Sequence, residues 1–184
     1  MVVRELEISG RTNSPASMKM HRKEKLEYYA VINFIREYNR NHKRQFIFLS
    51  LCKPPMPDAI CELNGKAVGI EVVHSYGSGI EAAIRLGNRE ASDFPKKKHL
   101  ERRTTPINIR ALDSLNKRLF EKSKKEYSFS PVWLLIRNAF PLWGLKEYKR
   151  NKSGICVPGS HPFKQIWLIC DENSEGPRGI LRLA

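Results

Sequence analysis

Two carboxylates, Asp58 and Glu71, carry the most specific chemical signal in the chain. They flank two strand-like runs, 59–63 and 67–73, joined across Asn64-Gly65, the preferred central pair of a type I′ hairpin turn. A two-residue turn sets the register of the hairpin. Leu63 then faces Lys66, Cys61 faces Val68 and Ala59 faces Ile70, on a mostly apolar side suited to packing against a helix. On the other side Glu62 faces Ala67, Ile60 faces Gly69, and Asp58 faces Glu71. Directly opposed residues hold their Cβ atoms roughly 4.5–5.5 Å apart, where like charges destabilise the pair. A divalent cation removes the conflict, and hard carboxylate oxygens suit Mg²⁺ or Mn²⁺. Gly69 is expected to leave room beside the acids for an ion or a phosphate. The bland alternative is a pair of acids at a solvated strand end, one of them capping a turn.

Pro57-Asp58, followed thirteen residues on by Glu71 after the apolar Val68-Gly-Ile, resembles the signature of the PD-(D/E)xK nuclease superfamily. The resemblance spans about residues 21–170, with the motif itself confined to 57–73. It implies a restriction-endonuclease-like fold: a mixed β-sheet flanked by helices, in the order helix, three-strand meander, helix, two strands. It also implies metal-dependent hydrolysis of phosphodiester bonds, with Mg²⁺ (or Mn²⁺) held by Asp58, Glu71 and the backbone carbonyl of Val72.

The sequence departs from the family at one place, because the motif lysine would fall at position 73 and this chain has Val73. In similar proteins that lysine can come from another element. Lys122 lies three residues after Leu119 and seven after Leu115, which puts it on the sheet-facing side of the following helix. Lys117, Lys124 and Lys125 are expected to point elsewhere, toward solvent or DNA. The competing reading of Lys122 is a side chain that snorkels at the edge of the core. Related nucleases often carry a Glu on the first helix aimed at the metal site. Glu27, which shares a face with Val31 and Phe34, is the candidate; Glu24, on the row of Tyr28, Val31 and Ile35, is the fallback. An ordinary solvated charge is the alternative for either. His74 follows Glu71 by three residues, falls on the opposite side of the strand, and reads as structural or loop-facing. Asp58, Glu71, Lys122 and Glu27 are therefore the expected catalytic set.

These residues need elements to position them. Leu26, Tyr29, Ile32 and Ile35 recur at helical spacing from His21 to about Asn39. Residues 46–52 read as a buried strand closed by Lys53-Pro-Pro-Met-Pro, and the hairpin follows. Ile80 to about Glu90 reads as a short helix, and 92–105 as a basic irregular segment. Pro106 suits the first position of a helix running to about Tyr127, with Ala111 or Leu112, Leu115, Leu119 and Phe120 on its apolar side. Val132–Ile136 and Gln165–Cys170 are buried strands, and Ile180–Leu183 suits an edge strand, as does Val2–Ile8. The reading is one nuclease-like α/β domain over 1–184, with an N-terminal arm at 1–20 and a Pro/Gly-punctuated loop insertion at 140–160.

Charge names the class of partner. The chain carries +14, and between Lys96 and Lys125 eleven Lys and Arg meet three acids, a net of +8. A field of that size attracts polyanions. Lys96, Lys97, Lys98, Arg102, Arg103 and Lys125 are the expected phosphate-backbone contacts, with DNA the expected nucleic acid. A solvated helix face and loop is the bland account of the same charges. No apolar run approaches the roughly 18 residues of a membrane span, and the N-terminus lacks a secretory core, so a cytoplasmic protein is expected. The four cysteines are scattered; Cys156 and His161, the one pair near ligand spacing, fall two ligands short of a structural zinc site. A homodimer is compatible with the sequence. The second functional reading is a catalytically inactive module on the same fold that binds nucleic acid or protein, which Val73 favours.

Overall fold

The computed structural model describes residues 21–76, 105–170 and 178–184. Helix α1 (Arg22–His42) starts where the Glu24 carboxylate reaches back to accept the His21 backbone N–H at 2.9 Å. Its inward stripe includes Ala30, Val31, Phe34, Ile35 and Tyr38. Strands β1 (Phe46–Leu51), β2 (Ala59–Leu63) and β3 (Lys66–Ser75) form an antiparallel meander. The turn between β2 and β3 has positive φ at both Asn64 (49°) and Gly65 (78°), the backbone a type I′ turn demands. It sets the register expected from sequence, Ala59 opposite Ile70 and Cys61 opposite Val68.

Helix α2 (Ile107–Ser123) follows, then β4 (Val132–Asn138), a short helix α3 (Leu145–Arg150), β5 (Phe163–Cys170) and β6 (Gly179–Arg182). The six strands lie side by side in chain order in one sheet. β3, β4 and β5 run parallel, while the flanking pairs are antiparallel, so the sheet is mixed. Every residue of β4 is buried, as expected of a parallel strand covered on both faces. One core holds Phe34, Phe46, Ile70, Trp133 and Trp167 beneath α1; the other holds Leu115, Leu119, Leu134, Ile136 and Leu168 beneath α2. The fold is thus an α/β sheet between helical layers.

The structure corrects the sequence reading at three places. α2 ends at Ser123 rather than near Tyr127: the Lys125 N–H bonds to the Lys122 carbonyl at 3.2 Å, and the Ser123 hydroxyl to the Phe120 carbonyl at 2.9 Å. These contacts close the last turn, and 124–131 leave the helical phase. Phe120, expected on the apolar side, is 56% exposed with the Lys124 ammonium 3.8 Å from its ring centre. It sits one residue past Leu119, about 100° around the helix. The 140–160 insertion is built around α3 and a fully buried Tyr148. Asn138, at the end of β4, organises it by donating to the Phe140 and Trp143 carbonyls (3.1 and 2.6 Å) and accepting from the Tyr148 hydroxyl at 3.1 Å. The expected strand at Val2–Ile8 and helix at Ile80–Glu90 lie outside the described residues.

Candidate functional site

β2 begins at Ala59, and beyond the Ala59–Ile70 pair β3 continues without it. Asp58 fills the first step past that end. Its Oδ2 accepts the Val72 backbone N–H at 2.8 Å, standing in for the strand carbonyl that is no longer there. Its own carbonyl accepts the Cys52 N–H at 2.9 Å, which ties the Pro-rich loop to the strand end. Along a strand a residue's N–H and C=O point to the same edge, so the Val72 carbonyl faces this strand end too.

Glu71 is 4% exposed and pairs in register with Leu134 of β4. Its carboxylate Oε1 accepts a hydrogen bond from the Lys122 ammonium, an ion pair reaching across 51 residues of sequence. The row Leu115–Leu119, both fully buried, anchors α2; each such side chain contributes about 1.5–3 kcal/mol. That anchoring fixes where Lys122, the next residue on the row, meets the sheet. Val73 packs against the core beneath α2 and lines the cavity. The position of the motif lysine is thus apolar, while an ammonium arrives at Glu71 from α2. The opposed like charges foreseen for the hairpin are answered within the protein, Asp58 by a backbone N–H and Glu71 by Lys122.

Both acids line a cavity of about 390 Å³. Glu27 enters it from α1, 7% exposed, its carboxylate 3.1 Å from the Lys23 ammonium. Burial raises the Glu27 pKa above the ordinary carboxylate range, the charge on Asp58 adds to that, Lys23 opposes it, and Glu71 contributes a smaller rise. Glu24, the fallback, is the helix cap and is occupied there. Lys125 lines the cavity, contrary to the expectation that it points away, because the chain leaves helical phase after Ser123. His74 also lines it, so the alternation that puts it on the other side of β3 does not keep it out. Gly69 does not leave open space: a Cβ there would lie 2.6 Å from Pro57 Cγ and 3.0 Å from Phe129 Cδ1. The glycine lets Pro57 seat against the strand, and Pro57 in turn holds Asp58 at its end.

Sequence reasoning missed Tyr127, Arg118 and Lys23, all of which line the cavity. Lys23 had a signal, the four-residue step to Glu27. Arg118, half-buried and salt-bridged to Glu121 at 2.7 Å, had only its place on α2. Tyr127 had none, since its place follows from the bend after α2. Its hydroxyl is buried near the Glu71 carboxylate, but no acceptor meets it at full hydrogen-bond geometry. Its pKa is raised, first by burial, then by the negative charge of Glu71, the nearness of the hydroxyl to the Glu71 carboxylate as an acceptor, and the charge of Asp58. Lys96, Lys97, Lys98, Arg102 and Arg103 lie outside the described residues.

Among the described residues no group of three or more His, Cys, Asp or Glu side chains is placed to hold a metal ion. Cys156 is exposed, its thiol near the Gly154 carbonyl, and His161 stacks on Phe163. Two carboxylates with a nearby carbonyl still fit one class of ion. Mg²⁺ is commonly held by one or two carboxylates while keeping waters and substrate phosphate oxygens. The donor set therefore fits Mg²⁺ or Mn²⁺ and does not fit a closed zinc cage. Comparison with known proteins gives no match: no family model fits the chain, and no curated protein or solved structure matches it.

Proposed function

We propose that this cavity is the active site of a metal-dependent nuclease, hydrolysing phosphodiester bonds in nucleic acid, DNA foremost, on a restriction-endonuclease-like core inside the cell. The observation that carries the reading is the ion pair between Lys122 of α2 and Glu71 of β3, beside Asp58 in one cavity. It reunites the three charged groups of the resembled motif although the lysine is absent from position 73. No described helix is long and apolar enough to cross a membrane.

Asp58 and Glu71, with the Val72 carbonyl, would hold the ion, which would acidify a water and stabilise the charge growing on the phosphate. Lys122, an ammonium already held at Glu71, would orient the attacking water by donating a hydrogen bond to it. Glu27, whose burial raises its pKa, would hold a proton more readily than an exposed carboxylate and would support the carboxylate cluster from the α1 side. Lys23, Arg118 and Lys125 at the cavity would contact the oxygens of a phosphodiester, which the chain's net charge of +14 would draw in.

Plasmid cleavage by the purified protein in Mg²⁺, in Mn²⁺ and in EDTA tests the proposal. Cleavage should need the metal, and Asp58→Ala and Lys122→Met should both abolish it. A protein inactive in both metals would overturn the nuclease reading. The second reading, a non-catalytic nucleic-acid-binding or protein-interaction module on the same fold, is favoured by one observation. Asp58 and Glu71 are both engaged by protein donors, so the arrangement is complete without an ion. A Mn²⁺ titration separates the two, because the module need not bind the metal.

A further inference from the structure

The Tyr127 hydroxyl is a buried polar atom that no acceptor meets at full hydrogen-bond geometry, although the Glu71 carboxylate stands near it, and its residue lines the cavity that holds Asp58, Glu71 and Lys122. Leaving a buried hydroxyl unpaired is costly, and such atoms in a folded protein call for an explanation. The ring is not loose: it packs against Phe163 of β5 with centroids 5.7 Å apart and planes inclined at 51°. The two carboxylates nearby already have donors, Val72 N–H for Asp58 and Lys122 for Glu71. What the hydroxyl lacks is an acceptor that arrives from outside. Lys23 on α1 and Arg118 on α2 line the same cavity and can turn to an anionic one, in a lining where cations and acids are equal in number.

We propose that the Tyr127 hydroxyl donates a hydrogen bond to a non-bridging oxygen of the phosphate group bound in this cavity, making Tyr127 a further catalytic residue. The proposal rests on the nuclease reading and deepens it. A phosphate oxygen accepts and does not donate, so it suits a phenol held by its ring. Because the ring is wedged before the ligand arrives, the donor is preorganised, and its bond strengthens as negative charge grows on the phosphate during hydrolysis. A substrate whose phosphate oxygen is replaced by an uncharged methyl group should lose this contact.

The test is Tyr127→Phe, which keeps the ring and its packing on Phe163. Cleavage in Mg²⁺ should fall about 100-fold, the lower end for loss of one preorganised donor. Affinity for the same DNA in EDTA should change by no more than about tenfold, the lower end for one hydrogen bond to a charged group. Mn²⁺ affinity and melting temperature should stay at wild-type values. A fully active variant overturns the proposal. So does one whose cleavage falls in step with a loss of Mn²⁺ affinity, since Tyr127 would then serve Glu71 rather than the phosphate. The ring-carbon resonance of Tyr127 in ¹³C-tyrosine-labelled protein, followed while an eight-nucleotide DNA strand is added, gives an independent reading. If wild-type protein cleaves nothing, the nuclease reading fails, and this resonance decides alone. Its displacement by the strand, and not by a methylphosphonate strand, upholds the phosphate contact; an unmoved resonance overturns it.

Discussion

Replacing Glu71 by Gln probes the centre of the site in metal-free protein. Glu71 and Lys122 are 6% and 15% exposed at their side chains, so the pair is largely removed from water. Deleting one partner of a buried ion pair costs about 3–5 kcal/mol, most of it from the charge left behind. Gln keeps the shape and one acceptor oxygen, and it ends the repulsion with Asp58, so the loss shrinks to about 1–3 kcal/mol, the worth of a hydrogen bond to a charged group. For a chain of this size that is a fall in Tm of about 2–12 °C, at about 2–4 °C per kcal/mol. Thermal and urea unfolding in EDTA measure it. The double variant Glu71→Gln with Lys122→Met should lose less than the two single changes added together, because the pair is one interaction. An unchanged or raised Tm for Glu71→Gln in EDTA would refute the reasoning: repulsion from Asp58 would then outweigh the attraction of Lys122. With Mn²⁺ at a hundredfold excess over its Kd the wild type should gain about 2.7 kcal/mol, and the variant less.

Three more outcomes follow from the same geometry. Gly69→Ala drives a Cβ to 2.6 Å from the Pro57 ring; it should cost about 1–3 kcal/mol in urea unfolding and weaken Mn²⁺ binding by displacing Asp58. Glu27→Gln should gain stability relative to wild type as pH rises from about 4 toward 7. The folded-state pKa of Glu27 is raised, so its stabilising contribution is complete below the unfolded carboxylate pKa and is lost as pH climbs through the folded value; a difference independent of pH over that range would contradict it. Neutralising Lys96, Lys97 and Lys98 together should weaken DNA binding equally for unrelated sequences and flatten its salt dependence, measured by fluorescence anisotropy at several salt concentrations. A loss confined to one sequence would point to base readout instead.

The hairpin was legible in the sequence because its determinants are local. Asn64-Gly65 accepts positive φ at both turn positions, and strand alternation then carries the register outward to the level of Asp58 and Glu71. The same holds for Leu115, Leu119 and Lys122, which share a helix face whatever that face packs against. Periodicity also placed β4 and β5, since strands buried on both faces read as continuous apolar runs.

Contacts across long stretches of chain were decided by the tertiary structure. Periodicity says that Lys122 faces the sheet; only the seating of α2 on β3 brings its ammonium to Glu71. Gly69 reads as open space beside the acids until Pro57 and Phe129 are found against it. α3 is six residues long, too short to show a helical period, and its place depends on Asn138, which reads as an ordinary polar strand end. Tyr127 and Lys125 turn toward the cavity because α2 stops at Ser123, and the contacts that close its last turn leave no mark in the apolar pattern. Local periods determine which face a side chain occupies. What it meets there depends on how whole elements pack, and that is a property of the assembled core.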